Sequence, residues 1–283
     1  MAMNLNPLVS VLMTSFNREK YIAISIKSVL DSSFKDFELI ILDDGSTDNT
    51  LKIANSFAEL DNRIRVYRNE KNLGDYPNRN KVASYAVGKY LKYIDSDDLI
   101  YPWGLELMVK MMEDHPSAGW GLCSMEANKE FIFPIELTPD KTYEYNYLGP
   151  GLFKRSPLSS IINREVFNAV GGFMPIRMAG DFEMWHRLAL QYNVLLMPQG
   201  FVWYRVHNAQ EINNFHEYAQ VYEALKMKYL KEAESFLGKI KINVIKKKEI
   251  KRLLKEMLFS VLKFRVKNLL IQVKSLFFIY RNY

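Results

Sequence analysis

Asp95, Ser96, Asp97 and Asp98 place three carboxylates in four consecutive positions at the end of the apolar run Tyr90 to Ile94. Carboxylates this close repel one another, so a divalent cation or a set of hydrogen-bond donors must compensate them. Read alone, the segment is equally a polar strand end in which Asp98 caps the next helix. A second cluster, Asp43-Asp44-Gly45-Ser46 with Asp48 close behind, ends the run Phe37 to Leu42. A carboxylate there can accept an imide N–H of a base or a ribose hydroxyl, and Gly45 lets backbone approach a ligand closely. The plainer reading is an Asp-Gly turn with a serine cap. Thr14-Ser15-Phe16-Asn17-Arg18 ends the first β-rich run, and no Gly-x-Gly-x-x-Gly lies near it, which argues against a dinucleotide dehydrogenase.

The elements that must position these residues alternate. Leu8 to Thr14 reads as a strand, and Arg18 to Leu30 as a helix, with Tyr21, Ile22, Ile26, Val29 and Leu30 at helical spacing. Phe37 to Leu42 is the next strand, and Ser46 to Leu60 the next helix, capped by Ser46 or Thr47. Ile64 to Tyr67, a helix from about Pro77 to Val87, and Tyr90 to Ile94 continue the alternation. Strands separated by helices imply right-handed crossovers and a mostly parallel sheet, so both acidic strand ends fall on one edge and face one crevice. Further on, Leu105 to Met112 reads as a helix, Gly119 to Met125 and Phe131 to Phe133 as strands, and Thr138 to Pro157 as a loop without clear periodicity. Ile161 to Val170 reads as strand into helix, Asp181 to Gln191 as a helix, and Val194 to Pro198 and Phe201 to Val206 as the strands that close the sheet. From about Ala209 the chain reads as helical.

Val9-Ser10-Val11-Leu12-Met13-Thr14-Ser15-Phe16-Asn17, Leu42-Asp43-Asp44-Gly45-Ser46-Thr47-Asp48, Asn72-Leu73-Gly74 with Arg79-Asn80, and Asp95-Ser96-Asp97-Asp98 resemble, in order and spacing, the successive motifs of family 2 glycosyltransferases. The resemblance covers roughly residues 8 to 110, with later marks at Gly171-Gly172-Phe173 and Gly180 to Trp185. It implies an α/β fold of the GT-A type: a Rossmann-like, mostly parallel central sheet with helices on both faces, a smaller mixed acceptor-side region, and a C-terminal helical extension. The implied division is 1–208 for the GT-A domain, with 8–100 as nucleotide-sugar half and 101–208 as acceptor-side half, and 209–283 for the extension. By the same resemblance, Thr14, Phe16 and Asp44 contact base and ribose of a nucleotide-sugar donor, and Arg79 or Asn80 lies near it. Asp95 to Asp98 is then the family's metal-binding segment, with Asp97 or Asp98 reaching a Mg²⁺ or Mn²⁺ that bridges the two phosphates. Asp181 resembles the catalytic base, and Gly180 stands where the family usually has Glu. His207, after Tyr204-Arg205-Val206, is similar in place to a histidine that approaches the metal or the diphosphate. The substrate-binding candidates are Thr14, Phe16, Arg18, Asp43, Asp44, Arg79, Asn80, Asp95 and Trp185. Trp103, Trp120, Trp185 and Trp203 could offer stacking faces to a sugar, although core packing is the stronger reading of that set. Without the resemblance, Asp181 reads more simply as a first-turn acid.

Chemically, an attacking sugar hydroxyl loses its proton to a carboxylate acting as general base in a single displacement, the anomeric carbon inverts, and the metal stabilises the departing diphosphate. The expected activity is transfer from a nucleotide-diphosphate sugar, with UDP the favoured nucleotide, to a hydroxyl of a glycan or lipid-linked glycan. The rivals are a non-catalytic nucleotide-sugar or membrane-binding protein of the same fold, and a nucleotidyltransferase, which would need an early glycine-rich basic phosphate loop.

Composition adds an asymmetry. Of the 38 Lys and Arg residues, 13 lie from Lys239 onward, with only 2 of the 32 acidic ones, so the tail carries +11 and the remainder −5. In the tail Leu254, Leu258, Leu262, Val266, Leu269, Val273, Leu276 and Tyr280 recur at three- or four-residue spacing beside the lysines. This pattern suits an amphipathic helix on an anionic membrane surface. The alternative is a helix that packs on the catalytic domain or forms a homodimer through its apolar face. Its aliphatic content argues against nucleic acid. The single Cys123 fits a reducing compartment and a small core residue. Met1 to Pro7 has no basic segment leading into an apolar one, and no run reaches about 18 continuous apolar residues. The expected location is cytoplasmic, peripheral at the inner face of the cell membrane.

Overall fold

The computed structural model describes residues 6–126, 132–206, 218–262 and 266–281. The first half alternates β1 (Val9–Ser15), α1 (Ile22–Leu30), β2 (Phe37–Asp43), α2 (Thr50–Ala58), β3 (Ile64–Arg68), α3 (Asp75–Ser84) and β4 (Tyr90–Tyr93). Every residue of β2 and β4 is buried, as strands covered on both faces require. β1 pairs in parallel with β2 from Val9↔Phe37 to Ser15↔Asp43, and with β4 from Val9↔Tyr90 to Leu12↔Tyr93. This register brings the ends of all three strands to one edge, as the alternation implied.

The second half comprises β5 (Leu99–Ile100), α4 (Gly104–Asp114), β6 (Ala118–Met125), β7 (Ile135–Leu137), α5 (Pro139–Leu148), β8 (Ser160–Asn163), α6 (Arg164–Ala169), α7 (Gly180–Gln191), β9 (Asn193–Pro198) and β10 (Val202–Trp203). The large sheet has the order β3-β2-β1-β4-β8-β6-β9-β7, and β8 runs antiparallel between β4 and β6. A buried cation helps to hold that junction. Lys92, in the middle of β4, donates to the carbonyls of Leu158 and Ser160, so an apolar-looking run carries a fully buried ammonium.

Three expectations about this half are corrected. Phe131 lies outside the described residues, and Ile132 and Phe133 are not in a strand; the strand is β7, antiparallel to β9. Residues 138–157 are not one irregular loop, because Pro139 opens α5. The apolar side of α5 consists of Tyr143 and Tyr147, an i, i+4 pair whose hydroxyls conceal the helical period. β10 does not close the large sheet, but pairs antiparallel with β5, Val202 opposite Ile100.

The extension forms α8 (Ala219–Glu232), α9 (Glu234–Leu262) and α10 (Val266–Arg281). Gly238, at φ +74°, interrupts the helical path of α9. Leu230, Ala233, Leu237, Ile242 and Ile245 are buried in the same core as Trp120, Phe182 and Trp185. His186 of α7 lies 3.0 Å from each of the Tyr143 and Tyr147 hydroxyls and stacks on Tyr229 of α8, with 4.8 Å between ring centroids. Burial and the nearby Lys226 hold this imidazole well below its ordinary pKa, so it stays neutral between its two tyrosines. The tail's apolar residues divide: Leu253 and Ile279 are buried against Met227, with Ile250 and Leu276 packed beside them, whereas Leu254, Leu258, Leu270 and Phe277 remain exposed. Among the described residues no helix is long and apolar enough to cross a membrane.

Candidate active site

The shared strand edge opens into a cleft of about 700 Å³. Of the residues singled out in the sequence, Thr14, Phe16, Arg18, Asp44, Arg79, Asp95, Asp97, Asp98 and Asp181 line it. The loop Phe153–Pro157, Met178, Tyr204 and Tyr222 of α8 form further walls. Apart from Tyr204, this group carried no motif, because it lies in irregular segments and a distant helix that only the tertiary fold brings to the sheet edge.

The loop after β1 is tied to the loop after β2. Asn17 adopts φ +52°, its N–H donates to Ser46 Oγ at 2.9 Å, and its Oδ1 accepts from Thr47 N at 2.9 Å. Arg18 N donates to Thr50 Oγ1 at 2.7 Å. These bonds leave Phe16 at the cleft, 43% exposed.

The two aspartates after β2 divide their work. Asp43 is fully buried outside the cleft, where its Oδ2 accepts from Ser46 N at 2.9 Å and lies 3.8 Å from Arg68 Nε. It builds the turn instead of facing a ligand, which corrects its place among the substrate-binding candidates. Asp44 does line the cleft: Oδ1 accepts from Asn69 Nδ2 (2.7 Å) and Leu73 N (2.9 Å), and Oδ2 from Gly74 N (3.0 Å). Gly74, at φ +86°, supplies that N–H in a backbone conformation other residues adopt only with strain.

Arg79 and Asn80 part company in the same way. The Arg79 guanidinium is 7% exposed, with Nε on Asp75 Oδ1 and Nη2 on Asp95 Oδ1, both at 2.7 Å. Burial alone would lower its pKa; Asp75 and Asp95 more than reverse that and keep it charged. Its Nη1 is buried with no hydrogen-bond partner among the described residues. Asn80 lies off the cleft and spends its amide on Phe173, donating to its carbonyl and accepting from its N–H, each at 2.8 Å. It secures the Gly171-Gly172-Phe173 turn, so it is not a donor contact.

At the end of β4 the crowded carboxylates are each answered differently. Asp95 pairs with Arg79 and Asp97 Oδ2 with Arg18 Nε at 2.8 Å, while Asp98 Oδ1 accepts from Arg205 N at 2.9 Å. Arg205 Nε also donates to the Asp97 carbonyl at 2.8 Å. Asp98 therefore does not cap a helix; β5 follows it. Burial, then the Asp95 charge, pushes Asp98 up to about 8, and burial with Asp75 and Asp97 raises Asp95 against the opposing pull of Arg79. His207 lies outside the described residues.

Asp181, in the first turn of α7, lines the same cleft. Burial raises its carboxyl to about 6, opposed by the Phe182 N–H that donates to its Oδ1 at 2.7 Å and by the Tyr76 hydroxyl. Trp185, on the same helix, is fully buried: its ring stacks on Trp120 at 5.4 Å, and Nε1 donates to the Arg155 carbonyl at 2.7 Å. It is a core residue and offers no face to a ligand, which corrects the stacking expectation. Trp103 and Trp203 lie outside the cleft as well.

Gly180 has a physical reason to lack a side chain. A Cβ built there would fall 2.7 Å from the Tyr76 ring and 2.8 Å from the Met174 carbonyl. Tyr76 fills the space that a residue before Asp181 would need. Gly180→Ala should therefore cost about 1–3 kcal/mol through overpacking, read from urea unfolding; a variant as stable as the parent would show that Tyr76 yields freely.

Residues 10–171 match the family described as glycosyl transferase family 2. The chain is 33% identical over 209 residues, 71% of its length and 76% of the other's, to the putative teichuronic acid biosynthesis glycosyltransferase TuaG of Bacillus subtilis. It is 29% identical over 200 residues (69% and 75%) to the UDP-Glc:alpha-D-GlcNAc-diphosphoundecaprenol beta-1,3-glucosyltransferase WfgD of Escherichia coli. To the putative glycosyltransferase EpsE of Bacillus subtilis it is 42% identical over 114 residues, which span 41% of that protein. Among solved structures, S. aureus TarS in complex with UDP-GlcNAc superimposes with a TM-score of 0.63 at 18% identity, covering 95% of this chain and 90% of that one. The mannosyltransferase PcManGT of Pyrobaculum calidifontis, in complex with GDP-Man and Mn²⁺, gives 0.60 at 18% identity, covering 81% and 65%. The fold is the GT-A arrangement that the resemblance implied, and with the family match spanning both acidic strand ends, the chain belongs to glycosyl transferase family 2 and is a glycosyltransferase.

Proposed function

We propose that the protein is an inverting glycosyltransferase that moves a sugar from a UDP-sugar to a hydroxyl of a lipid-linked glycan. The observation that carries this reading is that one cleft is lined both by the acidic sheet edge, Asp44, Asp95, Asp97 and Asp98, and by the buried carboxylate of Asp181. The UDP-GlcNAc bound to TarS and the diphosphoundecaprenol acceptor in the name of WfgD support the donor and acceptor classes.

In this reading Thr14, Phe16 and Asp44 seat the nucleoside, Phe16 through its exposed ring and Asp44 through lone pairs left by its three N–H partners. Arg79, which lines the cleft and is held charged by Asp75 and Asp95, supplies a positive charge toward the donor. Asp181 takes the proton of the acceptor hydroxyl as that oxygen attacks the anomeric carbon, and configuration inverts.

Among the described residues no three His, Cys, Asp or Glu side chains form a ready metal cage. Asp97 and Asp98 nevertheless line the cleft as hard oxygen donors, and a Mg²⁺ or Mn²⁺ held by one or two carboxylates plus substrate phosphates needs no larger cage. The residues thus fit such an ion, and His207 is a further candidate ligand. When bound, the ion would supply charge stabilisation for the departing diphosphate. The tail reading extends the proposal: Lys247, Lys251, Leu254, Leu258 and Val261 follow at four- and three-residue spacing on one exposed side of α9, which suits an anionic membrane surface.

Three measurements test these points. Calorimetric titration of UDP, GDP, CDP and dTDP with Mn²⁺ should show UDP binding that EDTA, Asp97→Ala or Asp98→Ala abolishes; no nucleotide binding under any condition would remove the donor-site assignment. Because Asp181 must be ionised to accept a proton and its pKa is raised to about 6, kcat/KM should fall about tenfold per pH unit below pH 6, and a flat profile down to pH 5 would exclude it as the base. The protein should sediment with vesicles containing phosphatidylserine and not with phosphatidylcholine alone, and Lys247→Glu/Lys251→Glu should reduce that binding; equal sedimentation with both vesicles would overturn the electrostatic attachment.

A further inference from the structure

Beside the cleft lies a second cavity of about 780 Å³, between the segment that follows α5 and the helices α8, α9 and α10. Lys154, Phe182 and Tyr222 line both cavities, so the two spaces adjoin along these residues. Phe182 directly follows Asp181, and a molecule that presents a hydroxyl to Asp181 can extend past Phe182 and Tyr222 into the second space.

The charges of that space are unbalanced. Three carboxylates line it, Glu223, Glu249 and Glu256, and two cations occupy all of them. Lys226 lies 3.0 Å from Glu223 and 2.6 Å from Glu249, and Arg252 lies 2.9, 3.1 and 2.7 Å from Glu223, Glu249 and Glu256. Lys154, Lys248 and Lys255 also line the cavity and have no carboxylate partner among the described residues; Lys248 donates to the Tyr147 carbonyl at 2.8 Å. On α9, Lys248, Arg252, Lys255 and Phe259 follow at four- and three-residue steps, so one side of the helix presents three cations and then an aromatic ring. Leu253, Phe259 and Ile271 add apolar surface, beside the polar Asn146, Asn268, Gln272 and Ser275 and a further cation, Arg155, which donates to the carbonyls of Gly151, Leu152 and Ser124.

A neutral glycan would leave the three ammonium groups without counter-charge, and a wholly apolar ligand would strip their water without replacing it. An anion attached to an apolar or sugar segment satisfies both parts of the lining. We propose that this second cavity is the acceptor site and that the acceptor carries a phosphate or diphosphate, seated on Lys154, Lys248 and Lys255, beyond the sugar whose hydroxyl reaches Asp181. This rests on reading the first cleft as the transfer site, and it assigns the C-terminal helices a direct part in choosing the acceptor. The phosphate can belong to a lipid carrier or to a water-soluble sugar phosphate, and the two sources are separable.

The test is calorimetric titration of the full chain, saturated with UDP and Mn²⁺ so that the first cleft is filled, with decyl diphosphate, glucose 1-phosphate and decyl glucoside, each below its micelle concentration. Binding of decyl diphosphate, weakened about tenfold or more by Lys248→Glu/Lys255→Glu while UDP affinity stays within about twofold, supports a lipid-borne phosphate. The same pattern for glucose 1-phosphate alone supports a soluble one. Lys255→Glu by itself, at an exposed position, gives a second variant in which folding is not in question, and it should show a smaller loss of the same kind. Equal binding of the uncharged decyl glucoside, binding unaffected by either variant, or no binding of any probe would overturn the proposal. So would displacement of the anionic probes by UDP and Mn²⁺, which would place the anion seat in the first cleft. Failure of nucleotide binding itself marks the transfer-site reading as wrong, whereas lysine-independent probe binding with UDP binding intact marks the acceptor assignment alone as wrong.

Discussion

Charge crowding at one sheet edge is the constraint around which the molecule is arranged. The parallel register of β1, β2 and β4 delivers Asp44, Asp95, Asp97 and Asp98 to the same place, and carboxylates confined together cost free energy unless donors answer them. Arg18 is brought to Asp97 by the bonds that tie the β1 and β2 loops together, Arg79 reaches Asp95 from α3, and Arg205 arrives from the segment after β10. Each arginine thus joins an element to the acidic edge as well as neutralising it. Burial, reinforced by neighbouring carboxylates, still raises Asp95 and Asp98, so the arginines do not fully offset the crowding.

The wall that carries Asp181 depends on packing more than on charge. Asp181 is placed by α7, whose start is pressed against Tyr76 at Gly180 and whose inner face is locked by the Trp120–Trp185 stack. The same helix carries His186 and Glu183, and both are completed by Tyr229 of α8, which stacks on the imidazole and donates to the carboxylate. Tyr222, one helical face along, donates to the Met178 carbonyl just before α7. The extension therefore supports α7 directly and encloses a second cavity beside it, instead of hanging from the domain as a separate anchor.

Much of the site was legible because chemistry and local order coincide there. Asp44 and Asp97 follow strands and Asp181 lies in the first turn of a helix, where period-2 and period-3.6 patterns locate the elements to within a few residues. Asp43 and Asn80 lie one position from true cleft residues, and a motif does not distinguish a ligand contact from the hydrogen bond that holds its neighbour. Trp185 misled because a tryptophan on a helix beside a catalytic candidate looks the same in sequence whether its ring meets a sugar or Trp120. α5 was missed because its buried face is made of tyrosines, whose apolar rings carry a hydroxyl.

The sequence by itself determined the alternation of elements, the parallel pairing of the first strands, the shared edge for two acidic clusters, and the basic, amphipathic character of the tail, because each is set by local periodicity and by the crossover geometry it imposes. Only the tertiary structure decided which face of each side chain meets the cleft, that Tyr76 leaves no room at residue 180, that α8 to α10 share the main core, and that Lys154, Lys248 and Lys255 ring a second cavity. Those outcomes depend on contacts between residues up to about a hundred positions apart, such as Tyr147 with Lys248, and such contacts are set by packing and charge pairing that no local pattern records.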